Sequence, residues 1–206
     1  MAFKKTALVV VDVQKFFIED ATEAIDQVVQ LCEYFTKRNL PIYFIQHGHD
    51  EAELTSKPIT NPVVRKWGPA GSVVVGSPGW ELMDQLSPFL PAYPSPLPAV
   101  GTCFPNPESN QWPKVVFKDT YDAFVRTQLD DSLSHHGIER LLVCGLVTDC
   151  CAETTARGAF NRGYETWLIG DACGTRRKDQ HDAYLKGFGF AFGDVYNTAE
   201  ALKALH

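Results

Sequence analysis

Leu141-Leu142-Val143-Cys144-Gly145-Leu146-Val147-Thr148-Asp149-Cys150-Cys151 is the stretch on which the reading of this chain turns. Leu141 to Val147 is a continuous apolar run without polar alternation, the pattern of a strand covered on both faces. It feeds an alanine- and threonine-rich helical segment from Ala152 to Gly163. A thiol at such a junction meets unpaired backbone N–H groups and the positive end of the helix dipole, which favour the thiolate. Cys151 is therefore a candidate nucleophile. Because a lone cysteine is as readily a small buried hydrophobe, the rest of the chain has to decide.

Outward from this stretch, apolar runs alternate with helical patterns. Ala7 to Val13 reads as a buried strand, and Ala21 to Lys37 as a helix with Ile25, Val28, Val29, Cys32 and Phe35 on one face. Pro41 opens a strand from Ile42 to Gln46. Lys114 to Phe117 is a strand, Leu129 to His136 a helix stopped by Gly137, and Cys151 to Asn161 a helix stopped by Gly163. Glu165 to Ile169 (strand), Gln180 to Phe192 (helix), a short strand near Val195-Tyr196 and a helix capped by Thr198, with Glu200 in its first turn, complete the series. Continuous apolar strands, each followed by a helix, predict a doubly wound α/β fold with a mostly parallel sheet and helices on both faces.

Residues 1–206 read as a single domain with one irregular insertion. From Gly48 to Pro113 the chain holds every proline except Pro41 and offers only one short helical stretch, Glu81 to Leu86. A connection this long in a compact domain is usually a lid or an interface, and its proline density predicts a fixed path.

With 206 residues and 45% hydrophobic content the chain is long enough for one well-buried core. A net charge of −6 gives no general attraction to phosphate backbones or anionic lipid, so neither nucleic acid nor membrane is an expected partner. Met1-Ala2-Phe3-Lys4-Lys5 passes directly into Thr6 to Val11, a run too short for a signal-peptide core or a bilayer span, which predicts a cytoplasmic protein. The six cysteines lack zinc-site spacing and a core of this size needs no staples, so reduced thiols are expected. Cys32 and Cys144 read as core filler.

In a parallel sheet, ligands bind beyond the carboxyl ends of the strands. The first strand closes on Asp12, in Val11-Asp12-Val13-Gln14; Val115-Val116-Phe117 closes on Lys118; Leu141 to Val147 runs into Cys151. Each alone has an ordinary explanation, as a cap, a solvated lysine or a buried thiol. Together they form a chemical unit. A cysteine nucleophile needs a base, a poorly solvated carboxylate has its pKa raised toward that task, and a neighbouring lysine holds the carboxylate in place.

Leu8-Val9-Val10-Val11-Asp12-Val13-Gln14 with Phe17, Lys118 followed by Tyr121-Asp122-Ala123-Phe124, Gly145 to Cys151, Thr155-Ala156 and Asp171-Ala172-Cys173-Gly174 form a specific combination. It resembles the isochorismatase-like superfamily of cysteine hydrolases, which includes nicotinamidases, N-carbamoylsarcosine amidases, ureidoacrylate amidohydrolases and isochorismatases. The resemblance covers nearly the whole chain outside residues 48–113. It implies that Cys151 is the nucleophile, since the family's cysteine stands three residues after the threonine matched by Thr148. It further implies Asp12 as general base, Lys118 as the residue completing the triad, a cis peptide between Leu146 and Val147, and an oxyanion hole from the N–H groups of Val147 and Cys151. Phe17, Trp80, Tyr121 and Thr148 are candidate substrate-binding residues, of which Phe17 and Tyr121 occupy motif positions.

The chain departs from the family pattern at two places. Nicotinamidases carry an Asp-x-His pair and a further histidine as metal ligands after the second strand, whereas this chain has His47-Gly48-His49-Asp50 with no histidine soon after. Two imidazoles without a third ligand make a poor site, so no metal, and no other cofactor, is expected. Asp122 stands where relatives often have serine. The function implied is hydrolysis of a small-molecule amide through a thioester, by a homo-oligomer. The alternatives are isochorismatase chemistry, in which Asp12 protonates a vinyl ether and no thiol is needed, and a catalytically idle scaffold.

Overall fold

Strand β1 (Thr6–Val11) is buried along its whole length, and its side chains divide by parity. Leu8 and Val10 enter one apolar layer with Ile42, Phe44, Leu142, Cys144 and Leu146, while Ala7, Val9 and Val11 enter the other with Tyr43, Ile45, Leu141 and Val143. That two-residue alternation with both faces apolar is why the run carries no polar positions. The structure is a computed structural model that describes residues 4–205; Met1 to Phe3, part of the amino-terminal reading above, and His206 lie outside the described residues.

The sheet has seven strands, β1, β2 (Ile42–His47), β3 (Cys103–Phe104), β4 (Lys114–Lys118), β5 (Arg140–Leu146), β6 (Glu165–Gly174) and β7 (Asp194–Tyr196), in the order β3-β4-β2-β1-β5-β6-β7. Every pair is parallel except β3 with β4. Helix α1 (Ile25–Lys37) buries Val28, Leu31, Cys32 and Phe35 in the Leu8 layer, joined by Ala201 of the last helix, Thr198–Ala204. The Val9 layer is closed by Leu129 and Leu133 of the helix Leu129–His135, by Ala156 and Ala159 of Glu153–Asn161, and by Phe188 of Lys178–Ala191. With the short helices Glu51–Thr55 (α2) and Pro62–Trp67 (α3) in the insertion, these four become α7, α4, α5 and α6 in chain order. The architecture is the doubly wound α/β fold that the sequence predicts. No helix of the described residues is long and apolar enough to cross a membrane.

The structure corrects several local expectations. Cys151 does not open α5, which begins at Glu153; it lies in a π-helical turn, Thr148–Ala152, closed by the Ala152 N–H donating to the Val147 carbonyl at 3.3 Å. The last helix is capped by Asn197, whose side chain accepts from Glu200 in a reciprocal capping box, while the Thr198 hydroxyl donates to Asp171 at 2.9 Å. Strand β6 continues past Ile169 to Gly174, because the exposed Asp171 interrupts the apolar run without interrupting the ladder. The insertion holds two short helices that the sequence reading did not mark. Asp50 caps α2 and Asn61 caps α3, each through its side-chain oxygen.

After β1 the chain builds the β2 and β4 side of the sheet, then returns to place β5 on β1's other edge. The carboxyl ends of β1 and β5 therefore flank the topological switch point, where such sheets open a crevice. Gly145 holds the two strands close there. It has φ +116, and a Cβ at that position would sit 2.1 Å from the Val11 carbonyl oxygen.

Candidate active site

Asp12 follows β1 directly, in the left-handed region (φ 49) that short polar residues tolerate, with its N–H donating to the Ile45 carbonyl at 3.0 Å. Lys118 closes β4. Since β2 lies between β4 and β1, the lysine reaches over the end of β2, and its Nζ donates to Asp12 Oδ2 at 2.6 Å and to the Thr120 carbonyl at 2.8 Å. Both side chains of this ion pair are wholly buried. His47, the last residue of β2, stands in register with Lys118 and is fixed by Gln14, whose amide donates to the His47 carbonyl at 2.8 Å and accepts the His47 N–H at 2.9 Å.

Cys151 meets this pair from the β5 side. The Asp12 Oδ1 atom is buried without a hydrogen-bond partner, and the thiol neighbours the carboxyl group. Burial raises the Asp12 carboxyl above its ordinary value, against the pull of Lys118. Burial works to lower Lys118, but the Asp12 carboxylate, helped by contact with the Cys151 sulfur, outweighs it and holds the ammonium charged. Burial pushes the Cys151 thiol well up, opposed by Lys118 and reinforced by Asp12. This corrects the helix-terminus expectation: the thiol rests protonated, because it is desolvated beside a carboxylate and sits before the helix begins. Cys150, half-buried, is raised to about 11 by burial and by Asp149. Both are free thiols.

Cys151 is on the wall of a cavity of about 290 Å³ with Phe16, Phe17, Tyr121, His47, Val147 and, from the insertion, Val63, Trp67 and Val73. The Trp67 indole donates to the Tyr121 hydroxyl at 2.6 Å, tying the insertion to the loop after Lys118. Arg176 and Arg177 stand at the same cavity, the former paired with Glu19 and Asp20. A wider hollow of about 800 Å³ lies at the opposite, amino end of the sheet, where Lys4 pairs with Glu165 and Arg162 with Asp130.

Of the residues expected to bind substrate, Phe17 and Tyr121 are in the cavity wall and two are elsewhere. Trp80 is 6% exposed, stacks on Phe117 at 5.8 Å between ring centroids, and lines a separate hollow with Gln46 and Gly48. Thr148 is wholly buried with its hydroxyl 2.9 Å from His181 Nδ1 of α6. The Leu146–Val147 peptide bond is cis. Sequence reasoning missed Phe16, Trp67 and the wall position of His47. Trp67 lies in an aperiodic segment where nothing marks one aromatic over another, but Phe16 adjoins the motif residue Phe17. His49 donates from or accepts at Nδ1 with Glu53 at 2.7 Å, and its ring meets that of His47 edge to face at 4.8 Å. Among the described residues no cluster of three or more His, Cys, Asp or Glu side chains is arranged to hold a metal ion.

Residues 6–94 and 106–200 match the family model of the isochorismatase domain. The chain is 25% identical over 202 residues to nicotinamidase 3 of Arabidopsis thaliana, covering 98% of this chain and 89% of that protein. It is 26% identical over 196 residues to ureidoacrylate amidohydrolase of Azorhizobium caulinodans, covering 84% and 77%. Among solved structures, an isochorismatase family protein from Desulfovibrio vulgaris superposes with a TM-score of 0.76 at 20% identity, covering 98% of both chains.

Proposed function

The chain belongs to the isochorismatase family and is a hydrolase of that family, and on this premise we propose that it cleaves a small-molecule amide through a thioester on Cys151. The observation that carries the reading is the buried Asp12–Lys118 ion pair with an unpartnered carboxylate oxygen beside the Cys151 thiol. A protonated thiol beside a carboxylate of raised pKa is a nucleophile stored in its neutral form. Asp12 takes the thiol proton as sulfur attacks the carbonyl carbon, and Lys118 offsets the charge that accumulates. The N–H groups of Val147 and Cys151 hold the oxyanion. When the C–N bond breaks, the Asp12 proton goes to the departing nitrogen, which leaves as ammonia or amine. Water, deprotonated by Asp12, then adds to the thioester and releases the acid and the thiol.

Phe17 and Tyr121 are proposed as pocket walls, with Trp67 in the place expected of Trp80. The names of the relatives, a nicotinamidase and an amidohydrolase, support C–N chemistry. The reading takes the whole chain as one cytoplasmic domain that assembles with copies of itself. The rival is protonation of a vinyl ether by Asp12, favoured by the burial that raises this carboxyl. A panel of nicotinamide, N-carbamoylglycine, ureidoacrylate and isochorismate, read by mass spectrometry, tests the reading with wild type and Cys151→Ser. Turnover of an amide that the serine variant loses supports it. Turnover of isochorismate alone, retained by the serine variant, would replace it with the rival.

A further inference from the structure

His47 is 4% exposed, lines the same cavity as Cys151, and has a buried Nδ1 without a hydrogen-bond partner. The Thr120 carbonyl, which accepts from Lys118 Nζ at 2.8 Å, lies against its ring. A carbonyl can only accept, so it favours the ring proton on the nitrogen turned toward it; with Nδ1 buried and unpartnered, we take that nitrogen to be Nε2, which leaves the lone pair on Nδ1. Burial, the Lys118 charge and His49 hold the ring neutral. The imidazole is thus a fixed acceptor whose demand no protein group meets, in a place where an unmet demand is costly. Its backbone is clamped on both sides by Gln14, which fixes where that acceptor stands.

We propose that His47 recognises the departing nitrogen of the substrate: Nδ1 accepts an N–H from it, restricting turnover to amides and carbamoyl compounds that carry such a hydrogen. This rests on the cysteine hydrolase reading. The sheet order supplies the geometry, because the oxyanion donors Val147 and Cys151 stand at the β5 side of the crevice and His47 at the β2 side, with Asp12 between them. A carbonyl oxygen directed to β5 leaves the nitrogen toward β2, in reach of both the Asp12 proton and the His47 acceptor. Esters, tertiary amides and vinyl ethers offer no hydrogen and leave Nδ1 unmet, the condition under which a polar pocket discriminates most strongly.

The test compares nicotinamide with methyl nicotinate, and N-carbamoylglycine with N-(methoxycarbonyl)glycine, as ratios of kcat/KM. In His47→Phe the amide-to-ester ratio should fall by roughly tenfold or more relative to wild type, while His47→Asn, whose Oδ1 restores an acceptor near the same point, should recover most of it. An equal loss on amide and ester would make His47 structural and overturn the proposal. Should the phenylalanine variant not fold, ¹⁵N-histidine NMR of the Cys151→Ala protein decides. The His47 Nδ1 resonance should move on adding nicotinamide but not methyl nicotinate, and no movement overturns the proposal. Stoichiometric metal on the purified protein, removed by His47→Asn, would also overturn it. If wild type turns over neither pair and forms no acyl-enzyme, the cysteine hydrolase reading itself fails; an acyl-enzyme with an unchanged ratio removes only this inference.

Discussion

Asp12 and Cys151 share one proton between them, and its resting place sets how the site responds to pH. Burial raises the carboxyl and the thiol alike, so the resting pair is carboxylate and thiol rather than acid and thiolate. As pH falls through the raised value of Asp12 the base is lost, so kcat/KM should fall on an acid limb lying above 3.8, the ordinary carboxylate value. Lys118 pulls that value down, so in Lys118→Ala the limb should move to higher pH. A limb at or below the ordinary value, or one that moves down in the alanine variant, contradicts the assignment. Asp12→Asn and Lys118→Ala should each lower turnover by roughly a hundredfold or more with the fold intact by circular dichroism. That Asp12 and Lys118 meet at one edge of the sheet was legible because each stands at the carboxyl end of an apolar run. Trp80 and Thr148 lie off the cavity wall because sequence gives proximity along the chain but not which way a side chain turns: one stacks into the core and the other bonds to His181.

At the scale of elements, strands were legible where both faces are apolar and blurred where one position reaches solvent, as at Asp171 in β6. The π-helical turn carrying Cys151 left no mark in the sequence, since Thr148 to Ala152 suits an α-helical start equally well. Gly145 sits inside an apolar run that reads as uninterrupted strand, yet its close approach to Val11 is what sets β5 against β1. Gly145→Ala forces both a positive φ and a backbone collision, and should destabilise by about 2–4 kcal/mol in denaturant unfolding. A loss under about 1 kcal/mol would mean that the strands separate readily there. Asn197→Ala removes the capping-box acceptor of α7 and should cost about 1 kcal/mol.

For the whole molecule, the alternation of strand and helix gave the layers, but the strand order and the switch point between β1 and β5 follow from crossovers that the local pattern does not encode. The insertion was legible as a long connection and illegible as a wall, because Val63 and Trp67 on α3 and Val73 beyond the next turn reach the cavity without periodicity. Trp67→Ala breaks the bond to Tyr121 and opens that wall. It should raise KM by roughly tenfold with little change in melting temperature, since Trp67 is 55% exposed. An unchanged KM would place the substrate elsewhere.

The central claim is that catalysis passes through a covalent bond to Cys151. Intact-mass spectrometry of the wild-type enzyme quenched in acid during turnover of its best amide, followed by peptide mapping, tests it directly. The account predicts an adduct equal to the substrate less its departing amine, on the peptide that holds Cys151 and absent from Cys151→Ser. Full turnover by the serine variant, with no adduct in the wild type, would contradict it.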